Sequence, residues 1–153
     1  MVDVYRQEIS KISSYMIKDH YRILSLLHSF EMNSYKNLNL KIESFKTFKW
    51  RLEKHMFVEE RAIFLSDKYD VSTEDFSLLF EISKQHNEIM NEVTDIFQNL
   101  KIDSGFKIEK LRDLLNKHLN FEEKIAYPRL DEIITETEKN RITNSIRDII
   151  SDL

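Results

Sequence analysis

A chain of 153 residues carrying a net charge of −4, with 33% charged residues, has the length of one domain, and at that size folding buries roughly two-thirds of the unfolded surface without staples. One glycine and one proline exclude an architecture of hairpins and tight turns and favour long amphipathic helices. The lack of cysteine excludes disulfides, thiolate zinc sites and iron–sulfur ligation, leaving imidazole and carboxylate as the strong metal ligands.

Lys and Arg are interleaved with Asp and Glu instead of forming a basic stripe, so nucleic acid is not an expected partner. The N-terminal residues contain no apolar run suited to a signal peptide, and no later stretch approaches the ~20 apolar residues of a membrane span. The expectation is a soluble, cytoplasmic, all-α protein forming a single domain over 1–153.

From about Val4 to Met32, Ile9, Ile12, Met16, Ile23, Leu24, Leu27 and Phe30 recur at three- and four-residue steps, which is helical periodicity, and His20 falls inside the stripe. Asn33 to Asn39 is polar enough to turn the chain. A second helix is predicted from about Leu40 to Lys68, with Phe45, Phe48, Leu52, His55, Glu59 and Ala62 inward. Asp70 to Thr73 connects it to a third, with Ser72 or Thr73 offering an N-cap ahead of Glu74 and Asp75. This third helix, to about Lys101, carries Leu79, Ile82, His86, Ile89, Val93, Ile96 and Leu100 on its inner face.

Asp103-Ser104-Gly105 is the strongest turn signal, and a fourth helix from about Lys107 places Leu111, Leu115, His118, Glu122 and Ile125 inward. Pro128 biases Tyr127 away from helical geometry while suiting the first turn of a new helix, so a kink or break is expected there. Beyond it, Leu130, Ile133, Ile134, Ile142, Ile146, Ile149 and Ile150 predict a further helical segment that packs on the bundle or mediates a homodimer. The bundle core is thus about 4–127 and the C-terminal extension about 128–153.

Two turns repeat a pattern: His55-x-x-x-Glu59-Glu60 and His118-x-x-x-Glu122-Glu123. On a helix a His and the Glu four positions on lie about 40° apart and about 6 Å along the axis, so both reach one ion or one pair of ions. The sequence around Asp19-His20 likewise echoes that around Gln85-His86. Each half therefore reads as a helical hairpin supplying a lone His and then a His/Glu pair, and two hairpins make an up-down-up-down four-helix bundle.

Burying Glu59 and Glu122 without compensation is costly, and the stripes show no inward Lys or Arg to pair with them. A metal cluster accounts for them better than a buried His–Glu hydrogen-bond network. His20 and His55 would hold one ion and His86 and His118 the other, with Glu59 and Glu122 between. Glu60 and Glu123 lie off the stripes beside Arg61 and Lys124 and read as solvated ion pairs. His28, two turns after His20, is too far along the axis to join them.

The early Asp19-His20, the two H-x-x-x-E-E turns, Gln85-His86-Asn87-Glu88-Ile89 and Tyr127-Pro128, in this order from about Lys18 to Pro128, resemble the hemerythrin-like (HHE cation-binding) family. The resemblance implies an oxo- or hydroxo-bridged centre of two iron ions in a four-helix bundle, with His20, His55, Glu59, His86, His118 and Glu122 as the matching ligands. It implies O2, NO or peroxide as the small-molecule partner, for sensing, storage or detoxification. An enzyme turning over peroxide or NO or repairing iron centres, and a structural or iron-storage module, are the alternatives. Oxygen-carrying members have a fifth His one turn after the third, and the matching position is Met90. A thioether is a poor ligand for hard, oxygen-bridged iron.

Overall fold

The computed structural model describes residues 11–63, 73–102 and 108–150, and among them there are helices and no strands. Helix α1 is Lys11–Asn33 and α2 is Leu38–Val58, the latter continuing as a π-helical segment over Glu59–Ile63. Helix α3 is Thr73–Asn99. Helix α4, Glu109–Phe121, runs through a second π segment, Glu122–Ala126, into α5, Tyr127–Ile133, and α6 is Glu136–Ile150. The Asp103-Ser104-Gly105 turn, the Ser72 cap and the predicted starts and ends at 4–10 and 64–68 lie outside the described residues.

The polar link between α1 and α2 is shorter than its composition suggests. Asn37 caps α2 by accepting the Leu40 amide at Oδ1, 2.9 Å away, which satisfies one of the helix's unpaired N-terminal donors. Helix α1 packs along α2, and α3 along α4. Among the described residues the predicted stripes form the buried faces of all four, apart from the partly buried Leu24 and Leu79 and the exposed Ile125, and they separate into two apolar layers. The larger cluster gathers Ile23, Leu27 and Phe30 with Phe45, Phe48 and Leu52, Ile89, Val93 and Ile96, and Leu111 and Leu115. The smaller gathers Ile12, Met16, Val58, Tyr127 and Leu130 with Ile134, Ile142 and Ile146.

The C-terminal segment packs on the chain's own bundle, where α6 lies against α1 and α2. Each buried aliphatic side chain in these layers contributes about 1.5–3 kcal/mol relative to exposure. The four helices carry His20, His55, His86 and His118 at the level between the two layers, so water is excluded from both ends of the polar stratum.

At Pro128 one expectation holds and one fails: the proline sits in the first turn of a new helix, α5, but Tyr127 is not turned out of helical geometry. The chain does not break there: Tyr127 is helical at φ −66° and ψ −42°, and the departure from helix falls later, at Ile134 with φ −90° and ψ 131°. The irregularity that precedes the proline is the π segment, where the Tyr127 amide bonds to the Glu122 carbonyl, five residues back. Such a turn takes up one more residue than an α-turn and loosens the ladder that Pro128 cannot join.

The same extra residue rotates the inner face by one position. Ile125, expected inward, is 51% exposed, while Ala126 and Tyr127 are buried.

Candidate metal centre

The two H-x-x-x-E turns end their α-helices at the glutamate, because Glu59 and Glu122 each open a π segment. Both carboxylates are completely buried, as are His20, His55, His86 and His118. Glu59 Oε1 lies 2.7 Å from His55 Nε2 and 3.6 Å from His86 Nε2. Glu122 Oε1 lies 3.0 Å from His118 Nε2, 3.3 Å from His20 Nε2 and 3.7 Å from His55 Nε2. All six predicted residues are thus brought to one place, whereas His28 is exposed on α1.

The imidazoles pair as expected, with ring centroids 4.8 Å apart for His20 and His55 and 4.8 Å for His86 and His118. Ligand atoms of His20, His55 and Glu122 fall within 4.8 Å of one another, and so do those of Glu59, His86, His118 and Glu122. Glu122 belongs to both groups.

What these atoms do not do decides the chemistry. His55 Nε2, His86 Nε2, His118 Nε2 and both oxygens of Glu59 and of Glu122 are buried without a hydrogen-bond partner. The 2.7 Å approach of His55 to Glu59 is an ion-pair distance not aligned as a hydrogen bond. Buried polar atoms are ordinarily satisfied, and seven orphans converging on one volume are able to hold a metal cation. The donor set, nitrogen and oxygen without sulfur, suits a divalent or trivalent transition metal.

The opposite edge of each ring is fully accounted for, and here the structure goes beyond the sequence. His55 Nδ1 donates to Asp19 Oδ2 at 2.8 Å, and His118 Nδ1 donates to Gln85 Oε1 at 2.9 Å. His20 Nδ1 donates to Glu123 Oε1 at 2.8 Å, and His86 Nδ1 donates to Glu60 Oε1 at 3.1 Å. Every ring is thereby fixed with Nδ1–H outward and Nε2 inward, the tautomer a metal requires.

Glu60 and Glu123, expected to be solvated ion pairs, instead orient His86 and His20, although their side chains remain 52% and 34% exposed. The repeat explains this: the second acid of each turn sits about 100° from the first and reaches a ring on a neighbouring hairpin. Asp19 and Gln85 each precede one ligand-type histidine in sequence and hold another in space.

The inner faces also contain a cation that the stripe reading lacked. Arg51 is buried and donates through Nε to Asp19 Oδ1 at 2.7 Å, with its Nη2 on the same oxygen. It compensates Asp19, not the two central glutamates, so their need for a cation is unchanged.

Tyr127 completes the wall. Its ring stacks on His20, centroids 5.7 Å apart and 23° between planes, and its hydroxyl lies 3.2 Å from His20 Nε2.

Electrostatics divide the four rings. Burial pulls His55 down, yet the carboxylates of Glu59 and Asp19 outweigh it and push its pKa up to about 9. Burial likewise opposes protonation of His86, which Glu59 and Glu60 nonetheless raise. Burial dominates at His20, with His55 adding repulsion, and lowers it to about 4; burial also lowers His118, to about 3. Glu59, although burial alone would raise it, is held below the carboxylate range by His55 and His86. Tyr127 is driven well above its ordinary value by burial and then by Glu59, Glu123 and Asp19.

Fold and site together define a class: an α-helical protein with a buried, duplicated His/Glu centre able to hold metal cations. The family model described as the hemerythrin HHE cation binding domain matches residues 11–130. The chain belongs to that family. No curated protein and no solved structure matched the chain. Among the described residues no helix is long and apolar enough to cross a membrane.

Proposed function

We propose that this chain is an up-down-up-down four-helix bundle holding two iron ions between His20, His55, Glu59, His86, His118 and Glu122, and that it binds O2 or a related small ligand, NO or peroxide, at that centre. The observation that carries the reading is the convergence of four imidazole Nε2 atoms and the unpartnered oxygens of Glu59 and Glu122 on one volume, with the Nδ1 edge of every ring anchored. Bound iron would supply the redox chemistry and the open coordination positions. The chain's residues hold the ligands in one tautomer, exclude water through the two apolar layers, and offer two imidazoles per ion.

The place of a fifth imidazole supports a ligand-binding role. Met90 packs against the larger apolar cluster and lines, with Met56, Phe57, Glu60 and His86, a cleft of about 280 Å³. No second imidazole lines that cleft, so the ion at His86 and His118, like the one at His20 and His55, would have two imidazoles and a position left for a small ligand.

Metal analysis of the purified, iron-reconstituted chain is expected to find two irons per chain, and an absorption band that appears with O2 and vanishes on degassing. Catalytic loss of added peroxide without a reversible band would instead make the protein an enzyme. An intact helical fold that takes up no iron would overturn the reading.

A further inference from the structure

We propose that Tyr127 is the hydrogen-bond donor to the small ligand bound at the ion between His20 and His55, and that it makes the centre selective for hydrogen-bond-accepting anions, such as peroxide, over neutral diatomics. The proposal rests on the di-iron reading and adds to it a ligand class and the residue that sets it.

His20 Nδ1 donates to Glu123, so Nε2 is the acceptor edge of the ring, and the Tyr127 hydroxyl donates to it across 3.2 Å. Among the described residues that nitrogen is the hydroxyl's one hydrogen-bond partner, and Tyr127 is only 1% exposed, so water offers little substitute. The lone pair that receives the Tyr127 proton is the one a metal takes.

Loading the centre therefore displaces the phenol from its partner while the stacked ring stays beside the ion. A buried O–H without an acceptor is costly, and an acceptor on the far side of the new metal–nitrogen bond removes the cost. An anion coordinated to the ion at His20 places such an acceptor next to the hydroxyl. A neutral diatomic is a much weaker acceptor and leaves the donor nearly unpaired.

The wide turn is what makes this contact available. Without the extra residue of the Glu122–Ala126 segment, the inward position would fall on Ile125 and Ala126, neither of which carries a donor. Glu122 provides a carboxylate within reach of His20, so the competing fate of the displaced hydroxyl is a bond to Glu122 and not to ligand.

Azide titration of the iron-loaded, oxidised protein, followed in the visible spectrum, separates these fates. Tyr127→Phe keeps the ring and its stack on His20. The variant is expected to hold the same iron but to bind azide roughly ten- to a hundredfold more weakly, the loss of a hydrogen bond to a charged group. NO binding to the reduced protein should change by less than about twofold.

Full iron with unchanged azide affinity overturns this inference alone and assigns the hydroxyl to Glu122. Equal weakening of azide and NO overturns it too, because Tyr127 would then act on the ion. A wild-type chain that takes up no iron overturns the di-iron reading itself. If Tyr127→Phe does not retain iron, the wild-type protein carries the test: the stretching band of bound azide must shift between H2O and D2O, and a band that does not shift overturns the proposal.

Discussion

Asp19 and His55, 36 positions apart in the chain, meet through a 2.8 Å hydrogen bond in which the imidazole Nδ1 donates to the carboxylate Oδ2. The other oxygen of Asp19 accepts from the buried Arg51. One carboxylate thus fixes a ligand-type ring and neutralises the cation behind it, and it stays ionised because His55 and Arg51 overcome the burial that would raise its pKa.

Two substitutions separate these roles. Asp19→Asn, which keeps an acceptor, should weaken metal binding about 10- to 100-fold. Asp19→Ala leaves Arg51 buried and unpaired and should cost about 3–5 kcal/mol in urea unfolding. Asp19→Ala combined with Arg51→Met should regain most of that stability but not the metal affinity. A double variant no more stable than the single would show that Arg51 is not the source of the loss.

Helical periodicity and the repeated H-x-x-x-E spacing were sufficient to place all six central residues, because a polar side chain in a core slot stands out against Leu and Ile. The outer acceptors were not legible in the same way. Glu60 and Glu123 lie off the stripes on their own helices, and only the meeting of separate hairpins brings them to His86 and His20. Arg51 carries no mark of burial in the sequence, because it sits one position before the stripe residue Leu52 and its burial depends on Asp19 of another helix. The π segments carry no compositional signature. Their one-residue shift turned Ile125 outward and Tyr127 inward, against a uniform 3.6-residue reading.

The central and outer carboxylates should respond differently to removal. Glu122→Ala removes oxygens that have no hydrogen-bond partner in the metal-free chain, so the iron content should fall well below that of wild type while apo stability holds or rises; Glu59→Ala should lose iron likewise but also lowers apo stability below about pH 9, because it removes the carboxylate that keeps His55 protonated. Glu60→Ala deletes a half-exposed acceptor and should keep full iron content with about tenfold weaker affinity. Elemental analysis and thermal unfolding of the metal-free variants measure both quantities. Equal iron loss from Glu60→Ala and Glu59→Ala would place Glu60 in direct contact with the metal.

Metal should stabilise the fold through these same orphaned atoms. At a free metal concentration a hundredfold above Kd, binding to the native state alone contributes about 2.7 kcal/mol. For a chain of 153 residues, that corresponds to a rise in Tm of roughly 5–10 °C, reversed by a chelator. Calorimetry with and without chelator gives the shift. Stoichiometric binding with no change in Tm would mean that the unfolded chain holds the metal equally well.

The pH dependence should run in opposite directions for the metal-free and loaded chains. His55 has its folded pKa raised from 6.5 to about 9. Its protonated form therefore contributes stability that is fully present below about pH 6.5 and is lost as pH rises through about 9. The lowered carboxylates Asp19 and Glu59 add nothing to this window, since both are ionised throughout it. The Tm of the metal-free chain should accordingly fall between pH 6.5 and 9. Metal binding works against the same proton: His55 must surrender it to coordinate, and His86, also raised, yields part of another, whereas His20 and His118 are already neutral. Apparent affinity should rise up to about tenfold per pH unit across the window, with about one proton or more released per chain at neutral pH. Titration in weak buffer with a pH indicator counts those protons directly. Release of none would mean that His55 is already neutral in the metal-free protein.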